Sequence, residues 1–359
     1  MAALLNRREW IAMGAAVAAT PAIGTGHAAR TRLSLNENAW GPSPNVAPAI
    51  RAAAVGVERY VEQAEVDSLA RQIARLEGVG PEQVVIGEVL EALGLFLARR
   101  RAGGGEIVFS APGYTALVDA AAPLGGRGRP VPLDARLEND LPALSRAVGG
   151  DTLAVSLVNP HNPSGTVSEA GAWHSFLADV SRRTLAVVDE AYLEYDDFAG
   201  LSATRHVRAG RNVLVFRTLA KIYGLAGLSI GYAVSQAPLA TALRQAGIGA
   251  PHFLSRPALA AASAALADQG HVAMVRDRTA GERRRLHTAL DALSLRHTDA
   301  RGNFVFFRTP AASRIRAAAA TAGIEIARPF PPLDDWVRVT VGRPAENDRF
   351  LAVLRQVVG

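Results

Sequence analysis

Leu185-Ala186-Val187-Val188-Asp189-Glu190-Ala191-Tyr192 is followed later in the chain by Val213-Leu214-Val215-Phe216-Arg217-Thr218-Leu219-Ala220-Lys221. Each stretch opens with an unbroken apolar, largely β-branched run and closes on polar residues. An unbroken run, with no apolar-polar alternation, is the mark of a strand covered on both faces, as in a parallel sheet between helices. Working outward, similar short runs occur at 83–86, 106–109, 130–133, 153–158 and 229–234, with alanine- and leucine-rich helical stretches between many of them. A mostly parallel α/β sheet follows. From about Pro251 the pattern shifts to long helices with short strands near 303–307 and 337–341, which predicts a second, smaller α+β domain.

Ligands of open parallel sheets collect at the carboxyl ends of the strands. Three polar clusters fall there: Asn159-Pro160-His161-Asn162-Pro163-Ser164-Gly165, Asp189-Glu190-Ala191-Tyr192 and Arg217-Thr218-Leu219-Ala220-Lys221. Singly, each has an ordinary structural explanation: a turn, a helix cap, an exposed lysine. Together they set an acid and an amine beside an Asn-bearing loop. Lys221 is the only lysine, among 39 basic residues. A chain that otherwise uses arginine for positive charge keeps lysine where a guanidinium fails, and forming an imine with an aldehyde is such a task. Pyridoxal 5′-phosphate (PLP) chemistry needs that amine, a carboxylate to hold the pyridine nitrogen protonated, and donors to the phenolic oxygen.

The 359 residues are 49% apolar and carry a formal net charge of +6. No run of like charge stands out, so the basic excess reads as a solvated surface and not a nucleic-acid groove. With no cysteine, disulfides, thiolate metal sites and thiol nucleophiles are excluded. No metal site is expected. The N-terminus reads Asn6-Arg7-Arg8-Glu9-Trp10-Ile11, then a mostly apolar stretch through Ile23 and a small-x-small pattern at Gly26-His27-Ala28. This resembles a twin-arginine export signal over residues 1–29. It is too short and too rich in alanine and glycine for a membrane span, so no stable membrane insertion is expected. Export to the periplasm is the expected destination, with the cytoplasm as alternative.

Six segments, in order and nearly chain-long, carry a resemblance to the class I/II PLP-dependent aminotransferases, nearest the histidinol-phosphate aminotransferase branch. They are Leu35-Asn36-Glu37-Asn38-Ala39-Trp40-Gly41-Pro42, Pro112-Gly113-Tyr114, the 159–165 loop, Asp189-Glu190-Ala191-Tyr192, Lys221-Ile222-Tyr223-Gly224-Leu225-Ala226-Gly227-Leu228 and Arg338-Val339-Thr340-Val341-Gly342. The resemblance implies a fold-type I PLP-dependent transferase, with an arm at 30–60, a large PLP-binding domain at 61–245 and a small domain at 246–359. It implies that Lys221 forms the Schiff base and moves the proton, that Asp189 pairs with the pyridine nitrogen, and that Asn162 and Tyr192 bond the phenolic oxygen. Tyr114 is expected to stack on the ring, and Arg338 to grip a substrate carboxylate or phosphate through a bidentate fork. Arg328 matches a small-domain arginine that contacts substrate phosphate in that branch. Asn38 belongs to the N-terminal signature, and Trp40 replaces an aromatic, usually tyrosine, at the same end.

At the phosphate the sequence departs from the family. Gly87-Glu88-Val89-Leu90-Glu91-Ala92 replaces the usual glycine- and serine-containing loop, so backbone amides can donate while its side chains offer little. Ala220 stands where a small hydroxyl residue is common, and Ser229 where an arginine is. Loss of that arginine is a change on the scale of about 1.5 to 3 kcal/mol. The remaining donors are Thr218, Ser229 and Tyr60, the last matching a tyrosine that reaches in from a neighbouring subunit and so implying a homodimer. The expected reaction moves an amino group between an L-amino acid or histidinol phosphate and a 2-oxo acid such as 2-oxoglutarate. Two alternatives stay open: a PLP-dependent lyase or decarboxylase on the same fold, and a catalytically degenerate PLP binder.

Overall fold

The structure is a computed structural model that describes residues 30–359. The twin-arginine reading at Arg7 and Arg8 lies outside the described residues. In chain order the strands are β1 (Thr31–Leu33), β2 (Val84–Ile86), β3 (Glu106–Ala111), β4 (Arg127–Pro132), β5 (Thr152–Val158), β6 (Leu185–Asp189), β7 (Val213–Thr218), β8 (Gly231–Val234), β9 (Phe304–Arg308), β10 (Ile324–Ile326) and β11 (Trp336–Thr340).

Strands β2 to β8 form one sheet in the order β2-β8-β7-β6-β5-β3-β4. Every pairing from β7 through β4 is parallel, and β8 is antiparallel to both of its neighbours. The carboxyl ends of β2, β3, β5, β6 and β7 therefore share one edge. In register, Asp189 lies level with Val158 of β5 and Phe216 of β7.

The unbroken apolar runs have a direct packing cause. Ala186, Val188, Val213 and Val215 enter the core on one face, while Leu185, Val187, Leu214 and Phe216 enter the core on the other. Burying such a side chain stabilises by roughly 1.5 to 3 kcal/mol, so both faces select for apolar residues. Helix Gln63–Glu77 covers the first face through Val66, Leu69 and Ile73. Its start is tied by the Glu62 amide donating to Glu65 Oε1 at 2.9 Å, and Gly78 in the left-handed region (φ 66°) ends it.

A smaller layer joins the antiparallel pair β9 and β11 to helix Pro344–Val358, with Phe307, Val339, Phe350 and Leu354 in its core. Helix Gln269–Ala292 bridges the two parts: Val272 and Val275 pack in the large core, Leu286 and Leu290 in the small one. A short parallel pair not anticipated from the sequence, β1 with β10, draws the N-terminal segment into the small layer. Among the described residues no helix is long and apolar enough to cross a membrane.

Candidate active site

A cavity of about 660 Å³ lies at the carboxyl edge of the sheet, roofed by the small layer. Five of the strands that end at this edge supply its wall: Glu88 after β2, Tyr114 after β3, Asn162 after β5, Asp189 and Tyr192 from β6, Thr218 and Lys221 from β7. Arg328 and Arg338 enter from the small layer. That size and mix of apolar wall with few convergent polar groups suit a small-molecule site.

Lys221 is half-buried, and its Nζ donates to the Leu35 carbonyl at 3.1 Å, a neutral partner that leaves the amine available. The loop that carries it passes close to the N-terminal segment. Gly224 sits at φ +71°, and a Cβ there would meet Pro42 N at 2.7 Å. Asn38 Nδ2 donates to the Ile222 carbonyl at 2.8 Å and pins the same loop.

Asp189 is 6% exposed, and its Oδ1 accepts from the Ala191 amide at 2.9 Å. Burial pushes its carboxyl up to about 7; the Ala191 amide opposes this, Glu88 adds to it and Lys221 subtracts. A buried acid so poised gains its charge when a cation such as a protonated pyridine nitrogen arrives beside it. Tyr192 is buried, and its Oη accepts from Asn36 Nδ2 at 3.1 Å. Tyr114 is 48% exposed on the cavity wall; burial of its hydroxyl, with Glu91 and Asp189 nearby, pushes the phenol up to about 12.

Arg338 is 7% exposed, yet its partners are neutral: Nη2 donates to the Ser34 carbonyl at 2.7 Å and Nη1 to Asn162 Oδ1, while buried Nε has no partner. Burial lowers its pKa, the expected strain of a cation without an anion. Such a guanidinium on a cavity wall is a waiting anion site. Replacing it with lysine keeps the charge but loses the fork. Arg338→Lys is expected to raise KM for the anionic substrate about 10- to 100-fold, the range of about 1.5 to 3 kcal/mol for a charged hydrogen bond, with kcat changed far less. Steady-state kinetics at saturating cofactor checks this.

Several expected site residues lie elsewhere. Asn38 turns into its own loop, bonding Gly41 and Ile222, and Trp40 packs against helix Gln269–Ala292, donating from Nε1 to Thr279 Oγ1 at 3.3 Å under the Arg278 guanidinium. Neither lines the cavity; Asn36 does, through its neighbour Tyr192. Val89 is fully buried in the core below the sheet edge, so within Gly87-Glu88-Val89 only Glu88 reaches the cavity. Ser229 is exposed, off the cavity wall, at φ 45°. Tyr60 is 81% exposed on the outer surface. Sequence reading missed Asn36, Phe330 and Glu325 on the wall; only Asn36, inside a quoted motif, carried a signal.

The donor set fits PLP at the ring: an amine for the aldehyde, a buried acid for the nitrogen, and a phenol and an amide for the remaining ring oxygen. A fold of this topology with a lysine and an aspartate so placed defines a fold-type I PLP-dependent enzyme. Residues 30–354 match the family "Aminotransferase class I and II", and the chain belongs to it. PLP is its cofactor and transamination its reaction class. The histidinol-phosphate aminotransferase 2 of Caulobacter vibrioides is 36% identical over 336 residues, covering 92% of this chain and 87% of that protein. The aromatic amino acid aminotransferase of Rhodococcus jostii is 35% identical over 325 residues, covering 89% and 88%. The histidinol-phosphate aminotransferase of Sinorhizobium meliloti, solved in complex with pyridoxal-5′-phosphate, superposes with a TM-score of 0.82 at 33% identity, covering 92% of this chain and 90% of that one.

Proposed function

We propose that this aminotransferase takes histidinol phosphate as amino donor and a 2-oxo acid such as 2-oxoglutarate as acceptor. The observation that carries this reading is the pairing of two guanidiniums on one wall: Arg338 lies 5.0 Å and Arg328 5.1 Å from the Phe330 ring centroid. Neither has a carboxylate partner among the described residues, so the wall suits a phosphate dianion or a dicarboxylate. PLP, when bound, supplies an electron sink at the substrate's reacting carbon. The chain's own residues would do the rest: Asp189 would hold the charge at the ring nitrogen, Tyr114 would cover the ring face, and the Lys221 amine would take the proton from the substrate's reacting carbon and return it. The aromatic lining, Tyr114 and Phe330, favours a second reading in which the donor is an aromatic L-amino acid. Incubating the protein and PLP with histidinol phosphate, L-phenylalanine or L-tyrosine and 2-oxoglutarate, then measuring glutamate, separates the two. Glutamate from none of the three would sink both.

The molecule is further proposed to work as a homodimer. Val55, Val57, Tyr60 and Phe253 are exposed apolar residues of one neighbourhood, because Arg256 donates to the carbonyls of Gly56 and Tyr60. A cluster of this kind favours burial against a second copy, and a monomer in sedimentation at micromolar concentration would refute it. The twin-arginine reading at Arg7 and Arg8 supports export of the folded holoenzyme, which cell fractionation tests.

A further inference from the structure

Two atoms fix how a pyridine aldehyde lies in this cavity: Lys221 Nζ marks the aldehyde carbon and Asp189 the ring nitrogen opposite it. The phenolic oxygen and the phosphate arm flank the aldehyde on opposite sides. If Tyr192 and Asn162 take the phenolic side, the phosphate arm would point to the other flank of Lys221. Thr218 and Ala220, just before Lys221 in the chain, and Glu88, bonded to Thr218, line the cavity beside that lysine. Both cavity arginines stand by Phe330, and Arg338 is bonded to Asn162, on the far side. A phosphate arm directed to that flank would meet the Glu88 carboxyl.

We propose that Glu88 is a cofactor-binding acid, which holds a proton when PLP is bound and donates its O–H to a phosphate oxygen. This rests on the assignment of the cavity to PLP. Glu88 occupies the N-cap of helix Val89–Arg99 without capping it by its side chain, so the first-turn amides keep their donors for an anion. Its Oε1 instead accepts from Thr218 Oγ1 at 2.8 Å. The single Thr218 hydroxyl hydrogen is thereby spent on Oε1, which leaves Oε2 to carry the proton, and a neutral carboxyl completes the set without bringing a further negative charge to a dianion. An ionised carboxylate in that position would repel the phosphate, and among the described residues Lys221 is the cation that acts on it.

The charged and titratable groups that face Glu88 are few. Glu91 lies on its own helix, Lys221 follows β7, Asp189 ends β6 and Tyr114 follows β3. Although the Glu88 side chain is solvent-accessible through the cavity, the walls displace much of its water. That desolvation is the largest influence and raises its pKa; the Thr218 hydroxyl opposes it, Glu91 adds and Lys221 subtracts. A bound phosphate raises it further, so binding and protonation are linked.

Pyridoxamine 5′-phosphate is the probe, because without an aldehyde it does not react with Lys221. Its dissociation constant, read by fluorescence between pH 6.5 and 8.5 (about neutral, above the second phosphate ionisation near 6), is expected to rise with pH in the wild type, towards about tenfold per unit for one linked proton. In Glu88→Gln, which keeps a donor and loses one titration, it is expected to rise less steeply than in the wild type, the remaining slope belonging to Asp189 and the ring nitrogen, and to be smaller than the wild-type value at the alkaline end. Glu88→Ala is expected to show the same reduced slope and to bind more weakly than Glu88→Gln. Pyridoxamine, lacking phosphate, is expected to bind all three proteins alike. Equal slopes in wild type and Glu88→Gln overturn the proposal, as does a Glu88→Gln protein weaker than wild type across the range. Borohydride reduction with PLP, read by mass spectrometry at Lys221, tests the cofactor assignment separately. Trapping with equal slopes overturns the role of Glu88 alone, whereas no trapping and no binding overturns both.

Discussion

Lys221→Ala is expected to lower transamination by at least about 10⁴-fold, the upper range for loss of a positioned acid–base, and to remove the borohydride-trapped adduct altogether. The size of the effect follows from the composition as much as from the geometry. The chain has no second lysine that a flexible loop could bring into the cavity, and its other cations there are guanidiniums that do not form the imine. Among the described residues the half-buried Lys221 amine hydrogen-bonds to the Leu35 carbonyl alone, and the acids it faces, Asp189 and Glu88, are already raised by burial and can take up a proton when it is removed. Thermal stability without cofactor is therefore expected to stay near that of the wild type. Partial activity in the alanine protein, or a pyridoxyl adduct elsewhere on the chain, would refute the role.

Arg217→Leu is expected to lower unfolding free energy by about 3 to 5 kcal/mol, the cost of breaking a buried ion pair by removing one partner. Arg217 is 1% exposed and holds three buried acids: Glu190 Oε2 at 2.7 Å from Nη2, Glu77 Oε1 at 3.0 Å from Nε and Glu194 Oε1 at 3.6 Å from Nη1. The contacts at Nε and Nη1 are charge contacts and not aligned hydrogen bonds, while Ser202 Oγ accepts from Nη2 at 2.9 Å. Glu77 also accepts from Tyr232 Oη at 2.6 Å, which ties the end of its helix to β8. Remove the guanidinium and three carboxyls face one another in a dry core. Denaturant unfolding measures the loss.

The same cluster sets a pH dependence. Burial, opposed by Arg217, pushes Glu190 and Glu194 each up to about 7. A carboxyl raised in the folded state stabilises below its unfolded value of about 4.3, and that contribution is lost as pH climbs through about 7. The wild type is therefore expected to lose melting temperature relative to Glu194→Gln as pH rises from about 5 to about 8. The cluster also matters to the site. Glu190 follows Asp189 and Arg217 opens the segment that ends in Lys221, so their pairing clamps β6 to β7 and holds the acid and the amine at a constant separation.

The legibility of the fold varied with the physics of each element. The runs in β6 and β7 were readable because every residue is buried, whichever face it points to. β4 begins three residues before the run at 130–133, at Arg127, because Arg127, Gly128 and Arg129 are exposed on the sheet edge and carry no apolar signal. β1 and β10 are three residues each, too short for a period, and exist because each pairs with the other. Trp40 was placed by analogy at the substrate; its indole instead found a donor–acceptor pairing with Thr279 and a cation in Arg278, on a helix far along the chain.

Local sequence carried the identity of the reacting groups. A lone lysine, an acid closing an apolar strand and a Pro/Asn/Gly loop are each written within a few consecutive residues, and strand-end position follows from the period of burial alone. Tertiary structure decided which charges meet. That Arg338 is left without an acid, that Arg217 collects three, and that Glu88 turns towards Thr218 beside Lys221 all depend on segments far apart in the chain. Electrostatic energy depends on distance and on surrounding solvent, and neither is defined until the sheet has brought those segments together and excluded the water.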